Sequence, residues 1–183
     1  MRNVAVIVGS LRRESINRRI AGLLAELAPP SLALRIVEIG NLPLCNQDHD
    51  ENSPAASVTF RASVRAADAV LFITPEYNRS IPSPLKNALD VGSRPYGQSV
   101  WAGKPGAVVS ASPSPIGGFG ANQHLRQSLA ALDVPTLAQP EMYLGHADKL
   151  FDARGTVIDD GARALMQTFL RAFEAWIRAT ARS

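Results

Sequence analysis

The stretch that decides the fold is VAVIVGSLRRESIN, residues 4–17, which places an apolar run directly before a polar turn. The run at residues 4–8 is continuous and rich in β-branched side chains, which is typical of a strand buried on both faces of a parallel sheet. Apolar residues at helical spacing follow over residues 16–28, and Pro29 and Pro30 end that helix. The stretch therefore predicts the first strand and helix of a βαβ unit.

The rest of the chain repeats this alternation of strand-like and helix-like segments. Further strands are predicted at residues 32–39, 69–74 and 106–110, with a weaker fifth at 136–140. Further helices are predicted at residues 54–67, 121–132 and 159–180, and residues 40–53 form a loop between strand and helix. One more helix is predicted to start with Ser83 as its N-cap and Pro84 as its first helical residue, and to run to about residue 91.

Five strands that alternate with helices indicate an α/β fold with right-handed βαβ crossovers. The simplest arrangement is a doubly wound, five-stranded parallel sheet in the flavodoxin-like order 2-1-3-4-5, with helices on both faces. We expect residues 1–183 to form one domain. Ligands of such sheets bind beyond the carboxyl ends of the strands, where the strand order reverses, so the loops after strands one and three should flank the site.

Composition narrows the class of partner. The formal net charge of the 183 residues is +3, which mildly favours anionic ligands, but no run of basic residues is typical of nucleic-acid binding. No apolar run approaches the roughly 20 residues of a membrane span. The single cysteine, Cys45, allows no intrachain disulfide. With no recognisable signal peptide, a cytoplasmic protein that binds neither nucleic acid nor membrane is expected.

The loop after the first strand has the composition of an anion site. It carries Ser10, Ser15 and Asn17 as short hydrogen-bonding side chains and holds four arginines, and it leads into a helix N-terminus, where free amides favour negative charge. A phosphate monoester suits this set, with Arg12 as the charged donor. The alternative is that Ser15 is only an N-cap and the arginines are solvated. The loop is neither a Walker loop nor a Gly-x-Gly-x-x-Gly fingerprint.

The loop after the third strand reads PEYNRSIPSPLKNALD, residues 75–90. Its three prolines should stiffen it, and a rigid loop can hold backbone amides against a planar ring. Taken alone, it is better explained as a proline-rich turn before a helix, with Tyr77 as an ordinary surface aromatic.

Taken together, the two loops resemble the NAD(P)H-dependent FMN reductase family, and within it the bacterial quinone and chromate reductases. The family patterns are G-S-x-R-x-x-S-x-N and P-E-Y-N-x-S-x-P-x-x-L-K-N-A-x-D, which this chain matches from Gly9 and from Pro75. Further matches, at 116–118, 124–127 and 139–141, extend the resemblance over nearly the whole chain. The chain departs from the family at Ser83, where Gly is usual, at Val91, where Trp is frequent, and at Pro113 and Pro115.

The resemblance implies non-covalent FMN, with NADPH or NADH as co-substrate. It assigns the phosphate to the first loop, the isoalloxazine border to the second and a covering role to the loop at 110–118. The candidate cofactor-binding residues are Ser10, Arg12, Ser15, Ile16, Asn17, Pro75, Glu76, Tyr77, Asn78, Ser110, Ser112, Gly117 and Gly118. No catalytic side chain and no metal ligand is assigned, because the flavin carries the chemistry. Arg13 and Arg79 lie near the expected mouth of the site, and solvated side chains are the simpler explanation for both.

The function implied is a reductase that passes electrons from nicotinamide through FMN to quinones or other small acceptors, such as azo compounds and metal oxyanions. The resemblance also implies a homodimer or homotetramer. A flavodoxin-type electron carrier without nicotinamide activity is the alternative, and a binding module without flavin is a third. A phosphatase of similar topology would need an arginine six residues after Cys45, where Glu51 stands. The adjacent Asp48, His49 and Asp50 do not predict a metal site, since neighbours in a loop rarely converge on one ion.

Overall fold

The computed structural model describes residues 1–152 and 155–180. Within these residues, five parallel strands form one sheet in the order β2-β1-β3-β4-β5, which confirms the predicted fold class and strand order. The strands are β1 (Arg2–Val8), β2 (Leu32–Ile36), β3 (Ala69–Thr74), β4 (Gly106–Ala111) and β5 (Met142–Leu144). The α-helices are α1 (Ile16–Leu27), α2 (Ala55–Arg65), α3 (Ser83–Gly92), α4 (Phe119–Ala131) and α5 (Asp160–Thr180).

Helices cover both faces of the sheet, because successive side chains of a strand point to opposite sides. Val4, Val6 and Val8 of β1 belong to a core that α1 and α5 close, with Phe169 and Phe173 fully buried in it. The intervening residues of β1 belong to a second core, which α2, α3 and α4 close. Strands β3 and β4 are buried along their whole length, which is why their apolar runs predicted them well.

The predicted fifth strand at residues 136–140 is wrong in position. Thr136 makes only an isolated bridge to Gly106, and the strand that pairs with β4 is Met142–Leu144. Pro135 precedes the predicted segment and Pro140 is its last residue, and both lack the amide hydrogen that a ladder needs. Three paired residues are too few to produce a periodic pattern, so β5 gave little signal in the sequence.

Other boundaries differ by a few residues. Strand β2 ends at Ile36 instead of residue 39, and Ile39 packs into the core on the opposite face. Helix α4 begins at Phe119, ahead of the predicted residue 121. Ser83 is the first helical residue of α3 instead of its N-cap, because the carbonyl of Pro82 already accepts the amides of Leu85 and Lys86. None of the helices among the described residues is both long enough and apolar enough to cross a bilayer.

Trp101 is the largest side chain that is fully buried, and Gly92 makes room for it. Its indole Nε1 donates to the carbonyl of Leu89 at 2.9 Å, and its ring packs against Phe60 and Phe72. A Cβ added to Gly92 would lie 2.4 Å from two atoms of that ring. The end of α3 therefore depends on a residue without a side chain.

We expect Gly92→Ala to lower the free energy of unfolding by about 1–3 kcal/mol, the usual cost of overpacking a core. Gly22→Ala is the matched control, because Gly22 lies inside α1 with nothing within 4 Å of the added Cβ. That variant should gain about 0.5–1 kcal/mol from helix propensity. Urea unfolding of both variants measures the difference, and a Gly92→Ala protein as stable as the original would contradict the packing argument.

Candidate functional site

A cleft of about 130 Å³ opens at the carboxyl ends of β1, β3 and β4. It gathers residues from all three loops that were predicted to meet there. Nine of the thirteen candidate residues line it, namely Ser10, Arg12, Ser15, Ile16, Asn17, Pro75, Glu76, Tyr77 and Ser112. Ala111 and Pro113 line it too, although no motif singled out either as a ligand contact. Asn78, Ser110, Gly117 and Gly118 are not part of the lining.

Volume alone would not have identified this cleft. A depression of about 380 Å³ lies around Arg2 and Lys104, and another of about 340 Å³ lies beside Arg35 on the β2 side of the sheet. The first touches the amino-terminal ends of strands and the second touches the edge strand β2, and neither is lined by residues of a helix N-terminus. The smaller cleft combines a helix N-terminus, hydroxyl groups and an arginine, and those donors mark it as the ligand site.

The four arginines of the first loop have different roles in the structure. Arg18 pairs with Glu38, and this ion pair holds the pKa of the Glu38 carboxyl below its ordinary value. Arg19 lies over the ring of Phe151, 5.1 Å from its centroid. Arg12 and Arg13 are exposed and have no side-chain partner among the described residues. Of these two, only Arg12 lines the cleft, so it is the arginine available to a bound anion.

Ser15 performs two roles that were weighed as alternatives. Its hydroxyl accepts the Arg18 amide at 3.1 Å, which makes it the N-cap of α1. The same residue lines the cleft and is 3% exposed. Capping therefore does not exclude a ligand contact, because a hydroxyl that accepts one hydrogen bond can still donate another.

Asn17 provides the clearest evidence that the cleft binds a ligand. It is 5% exposed, and its Nδ2 donates to the carbonyl of Ala111 at 3.4 Å. Its Oδ1 is buried without a hydrogen-bond partner in the described part of the chain. Leaving such an atom unpaired costs about 1–3 kcal/mol. A ligand that carries hydroxyl groups beside an anionic group would donate the hydrogen bond that this Oδ1 atom lacks.

The second loop owes its shape to a tight turn as well as to its prolines. Tyr77 and Ser80 exchange both backbone hydrogen bonds, at 2.9 and 3.0 Å, around Asn78 and Arg79. These two central residues have positive φ values of 50° and 65°. Asn tolerates this left-handed conformation, whereas Arg adopts it at a cost. The Ser80 hydroxyl then lies 2.7 Å from Nδ1 of His124, which attaches the turn to α4.

Glu76 connects the second loop to the start of α4. Its Oε2 accepts the amide of Ala121 at 3.1 Å, in the first turn of the helix. Its Oε1 accepts from Arg79 at 3.3 Å, and its side chain is 11% exposed. The N-cap residue Gly118 provides no side-chain cap, so Glu76 supplies the negative charge that the helix N-terminus favours.

The glycines of the third loop allow that loop to pack closely against β4 and β5. Gly117 and Gly118 both have positive φ. A Cβ at Gly117 would lie 2.7 Å from the backbone carbon of Tyr143, and one at Gly118 would lie 3.2 Å from Cβ of Ser110. The resemblance placed these glycines beside the ligand, and in the structure their open sides face β5 and β4.

Ser110 sits behind the cleft, in a buried polar network that sequence reasoning missed. It is fully buried, and its hydroxyl accepts from Nδ2 of Asn122 at 3.2 Å. Asn122 in turn accepts from Nε of Arg126 at 2.9 Å. The available signal was a polar residue on the apolar face of α4, since Asn122 shares its burial with Ala121, Leu125 and Leu129.

The loop around Cys45 contributes no residue to the lining of this cleft. Burial is the main cause that raises the pKa of the Cys45 thiol, so the reactive thiolate is disfavoured at neutral pH. Asp50 forms an ion pair with Arg94. No group of three or more His, Cys, Asp or Glu side chains able to hold a metal ion occurs in residues 1–152 and 155–180.

Comparison with known proteins agrees with this geometry. Residues 2–149 match the model of the NADPH-dependent FMN reductase family. The chain belongs to this family. It is 58% identical over 177 residues to a quinone reductase of Pseudomonas putida, covering 96% of this chain and 95% of the relative. It is 47% identical over 175 residues to a 2-hydroxy-1,4-benzoquinone reductase of a Burkholderia species, with 96% of each chain covered.

A solved structure extends the likeness to three dimensions. FerB of Paracoccus denitrificans, described as a flavoenzyme NAD(P)H:(acceptor) oxidoreductase, superposes with a TM-score of 0.93 at 39% identity. The alignment covers 100% of both chains. The flavodoxin-like fold and the relation to flavin-dependent reductases therefore rest on sequence and structure alike.

We expect Arg12→Ala to weaken FMN binding by about 1.5–3 kcal/mol, the scale of a hydrogen bond to a charged group. Arg13→Ala is the matched control, because Arg13 is the exposed neighbour that does not line the cleft. It should leave the affinity within a few tenths of a kcal/mol. Fluorescence titration of FMN into the apoprotein measures both, and equal affinities of the two variants would remove Arg12 from the phosphate site.

Proposed function

We propose that this protein is an NAD(P)H-dependent FMN reductase that delivers electrons to quinones. The observation that carries the proposal is the cleft that brings the anion-binding first loop, the Pro75–Tyr77 segment and the end of β4 together. Membership of the NADPH-dependent FMN reductase family supports FMN as the cofactor. The names of the relatives, a quinone reductase and a benzoquinone reductase, support quinones as the acceptor class.

The residues of the cleft suit the parts of FMN. We propose that Ser10, Arg12, Ser15 and Asn17 hold the phosphate, with Ile16 contributing at the start of α1. Three of these side chains are buried donors, at 6%, 3% and 5% exposure, and Arg12 adds the positive charge. The unpaired Oδ1 of Asn17 fits a donor from the ribityl hydroxyls beside that phosphate.

The other candidate residues form the wall for the isoalloxazine. We propose that Pro75, Glu76 and Tyr77 border the ring and that Ser112 approaches it from the third loop. Asn78 contributes by allowing the turn that holds Tyr77 in place. Three candidate residues do not line the cleft, namely Ser110, Gly117 and Gly118. They let the third loop pack closely enough to close that side of the cleft.

Bound FMN would supply the redox chemistry of this site, namely acceptance of a hydride from NAD(P)H and two-electron reduction of an acceptor. The chain's own residues bind the cofactor, orient it and shield it. The α1 N-terminus and Arg12 anchor the charged end, while the Tyr77–Ser80 turn and Glu76 keep the second loop in one position. Tyr77 is 46% exposed, so the cleft is left open on one side to nicotinamide and acceptor in turn. We propose no general acid or base, and other small acceptors, azo compounds and metal oxyanions among them, fit the same open side.

The net charge of the chain argues against the alternative function, a flavodoxin-type electron carrier. Such carriers tend to be acidic for docking to their partners, whereas this chain has a formal net charge of +3.

We further propose a cytoplasmic homodimer or homotetramer acting on small molecules. Leu44 and Tyr96, 81% and 89% exposed, are apolar surface that contact between copies would cover.

We expect the purified protein to be yellow, and anaerobic mixing with NADPH or NADH to bleach its flavin absorption within seconds. Addition of a benzoquinone should then restore the absorption. Stopped-flow spectroscopy measures both half-reactions, and the Arg12→Ala protein reconstituted at high FMN is the control for cofactor loss. A flavoprotein that neither nicotinamide reduces would favour the carrier, and a protein that binds no FMN would refute both.

The oligomer is tested by its mass. We expect light scattering after size exclusion to give about two or four times the 19.6 kDa of the chain. The measurement should be made over a range of concentrations, since association depends on concentration. A mass of one chain at all concentrations would contradict the oligomer and leave the reductase proposal untouched.

A further inference from the structure

The turn at residues 77–80 holds an arginine in a conformation that this residue does not favour by itself. Asn78 and Arg79 are its two central residues, and both have positive φ, as in a type I′ turn. Such turns ordinarily place glycine at the second central position, because a Cβ is crowded in the left-handed region. The cost at Arg79 must therefore be offset by contacts between this turn and the rest of the chain.

The side chain of Arg79 contributes little to holding its own backbone. It is 75% exposed, and its NH1 lies 3.3 Å from Oε1 of Glu76. Water screens an ion pair with so exposed a partner, so the pair adds little stability. The two backbone hydrogen bonds between Tyr77 and Ser80 close the turn, but they belong to the turn itself. The stabilising contacts therefore come from another element.

Helix α4 supplies two such contacts. Nδ1 of His124 lies 2.7 Å from the hydroxyl oxygen of Ser80, and the tautomer of the imidazole decides which of the two donates. Gly120 brings the backbone of α4 against the turn, since a Cβ there would lie 3.1 Å from the carbonyl oxygen of Arg79. Gly120 and His124 are four residues apart and share one face of the helix. This face of α4 supports the turn directly.

The turn affects the cleft through Tyr77, which belongs to both. Tyr77 lines the cleft and is 46% exposed, and its amide and its carbonyl both bond to Ser80. Opening of the turn would remove the two hydrogen bonds that orient this residue. His124 does not line the cleft, so its influence on the site is transmitted by Ser80 and Tyr77.

We propose that His124 is a positioning residue of the reductase, which keeps the strained turn closed through Ser80 and so holds Tyr77 at the open side of the cleft. The role rests on the proposed reductase function. NADPH binds to molecules whose turn is closed, so opening of the turn lowers the apparent affinity by the fraction of molecules that are open. A complex that has formed contains the closed turn and reacts at the original rate.

We expect His124→Leu in the FMN-loaded protein to raise the KM for NADPH about two- to fivefold, with kcat changed by less than about twofold. Hydrogen exchange of the Tyr77 and Ser80 amides, measured by NMR without substrate, should become about five- to tenfold faster, the scale of one lost hydrogen bond. Ser80→Ala should have the same effects, and the double variant should add nothing to them, because one interaction is removed in each case.

Two substitutions separate positioning from a general loss of stability. His124→Asn should keep nearly the original KM, since its amide group can replace Nδ1 opposite the Ser80 hydroxyl. Arg79→Gly, added to the His124→Leu protein, should restore the KM and slow the exchange again, because an Asn-Gly pair suits a type I′ turn without strain. Gln127→Leu is the matched control, since Gln127 is also exposed on α4, and it should change neither quantity.

Each contrary result identifies what is wrong. A KM for NADPH that His124→Leu leaves unchanged would refute the positioning role and leave the reductase standing. Faster exchange that Arg79→Gly does not reverse would refute the strain in the turn. An original protein that neither nicotinamide reduces would refute the reductase and the positioning role with it, whereas the amide exchange needs no turnover and still reports on the turn alone.

Discussion

The hydrogen bond from the Gly9 amide to the Ile73 carbonyl, at 2.9 Å, is the contact on which the arrangement of the site depends. It continues the pairing of β1 with β3 by one residue beyond Val8 and Ile73, into the loop itself. A Cβ at Gly9 would lie within 3.3 Å of Pro75, Pro82 and Leu85, so only glycine allows this approach without displacement. The first and second loops are thus held at a fixed separation, and the cleft between them has its width set by backbone geometry.

The third loop is attached to this frame by polar contacts. Asn17 reaches from α1 to the carbonyl of Ala111, and Glu76 reaches from the second loop to the amide of Ala121. Each contact crosses from one βα unit to another, so the walls of the cleft stabilise one another. The parallel sheet is what makes this possible, because burial on both faces aligns the carboxyl ends of β1, β3 and β4 at one edge.

Most of the fold could be predicted because its signals are local. The strands β1, β3 and β4 are short apolar runs, and their burial on both faces leaves no ambiguity of pattern. Strand β5 could not be predicted, since it begins after Pro140 and its three residues are too few to produce a periodic pattern of apolar side chains. Within the site, the first loop was predictable for the same reason, because Ser10, Arg12, Ser15 and Asn17 are close in the chain and act on one helix N-terminus.

The sequence by itself determined the α/β class and the polar loops that meet at the cleft, because apolar periodicity and helix-start signals are properties of short segments. The strand order was predicted as the simplest arrangement of five such strands, and the structure confirms it. Tertiary structure alone decided which polar side chains are satisfied. Arg18 is occupied by Glu38 and Arg12 is not, Ser110 contacts Asn122 instead of lining the cleft, and Oδ1 of Asn17 is buried without a partner in the described part of the chain. These outcomes depend on which distant segments pack together, and no local pattern records that packing.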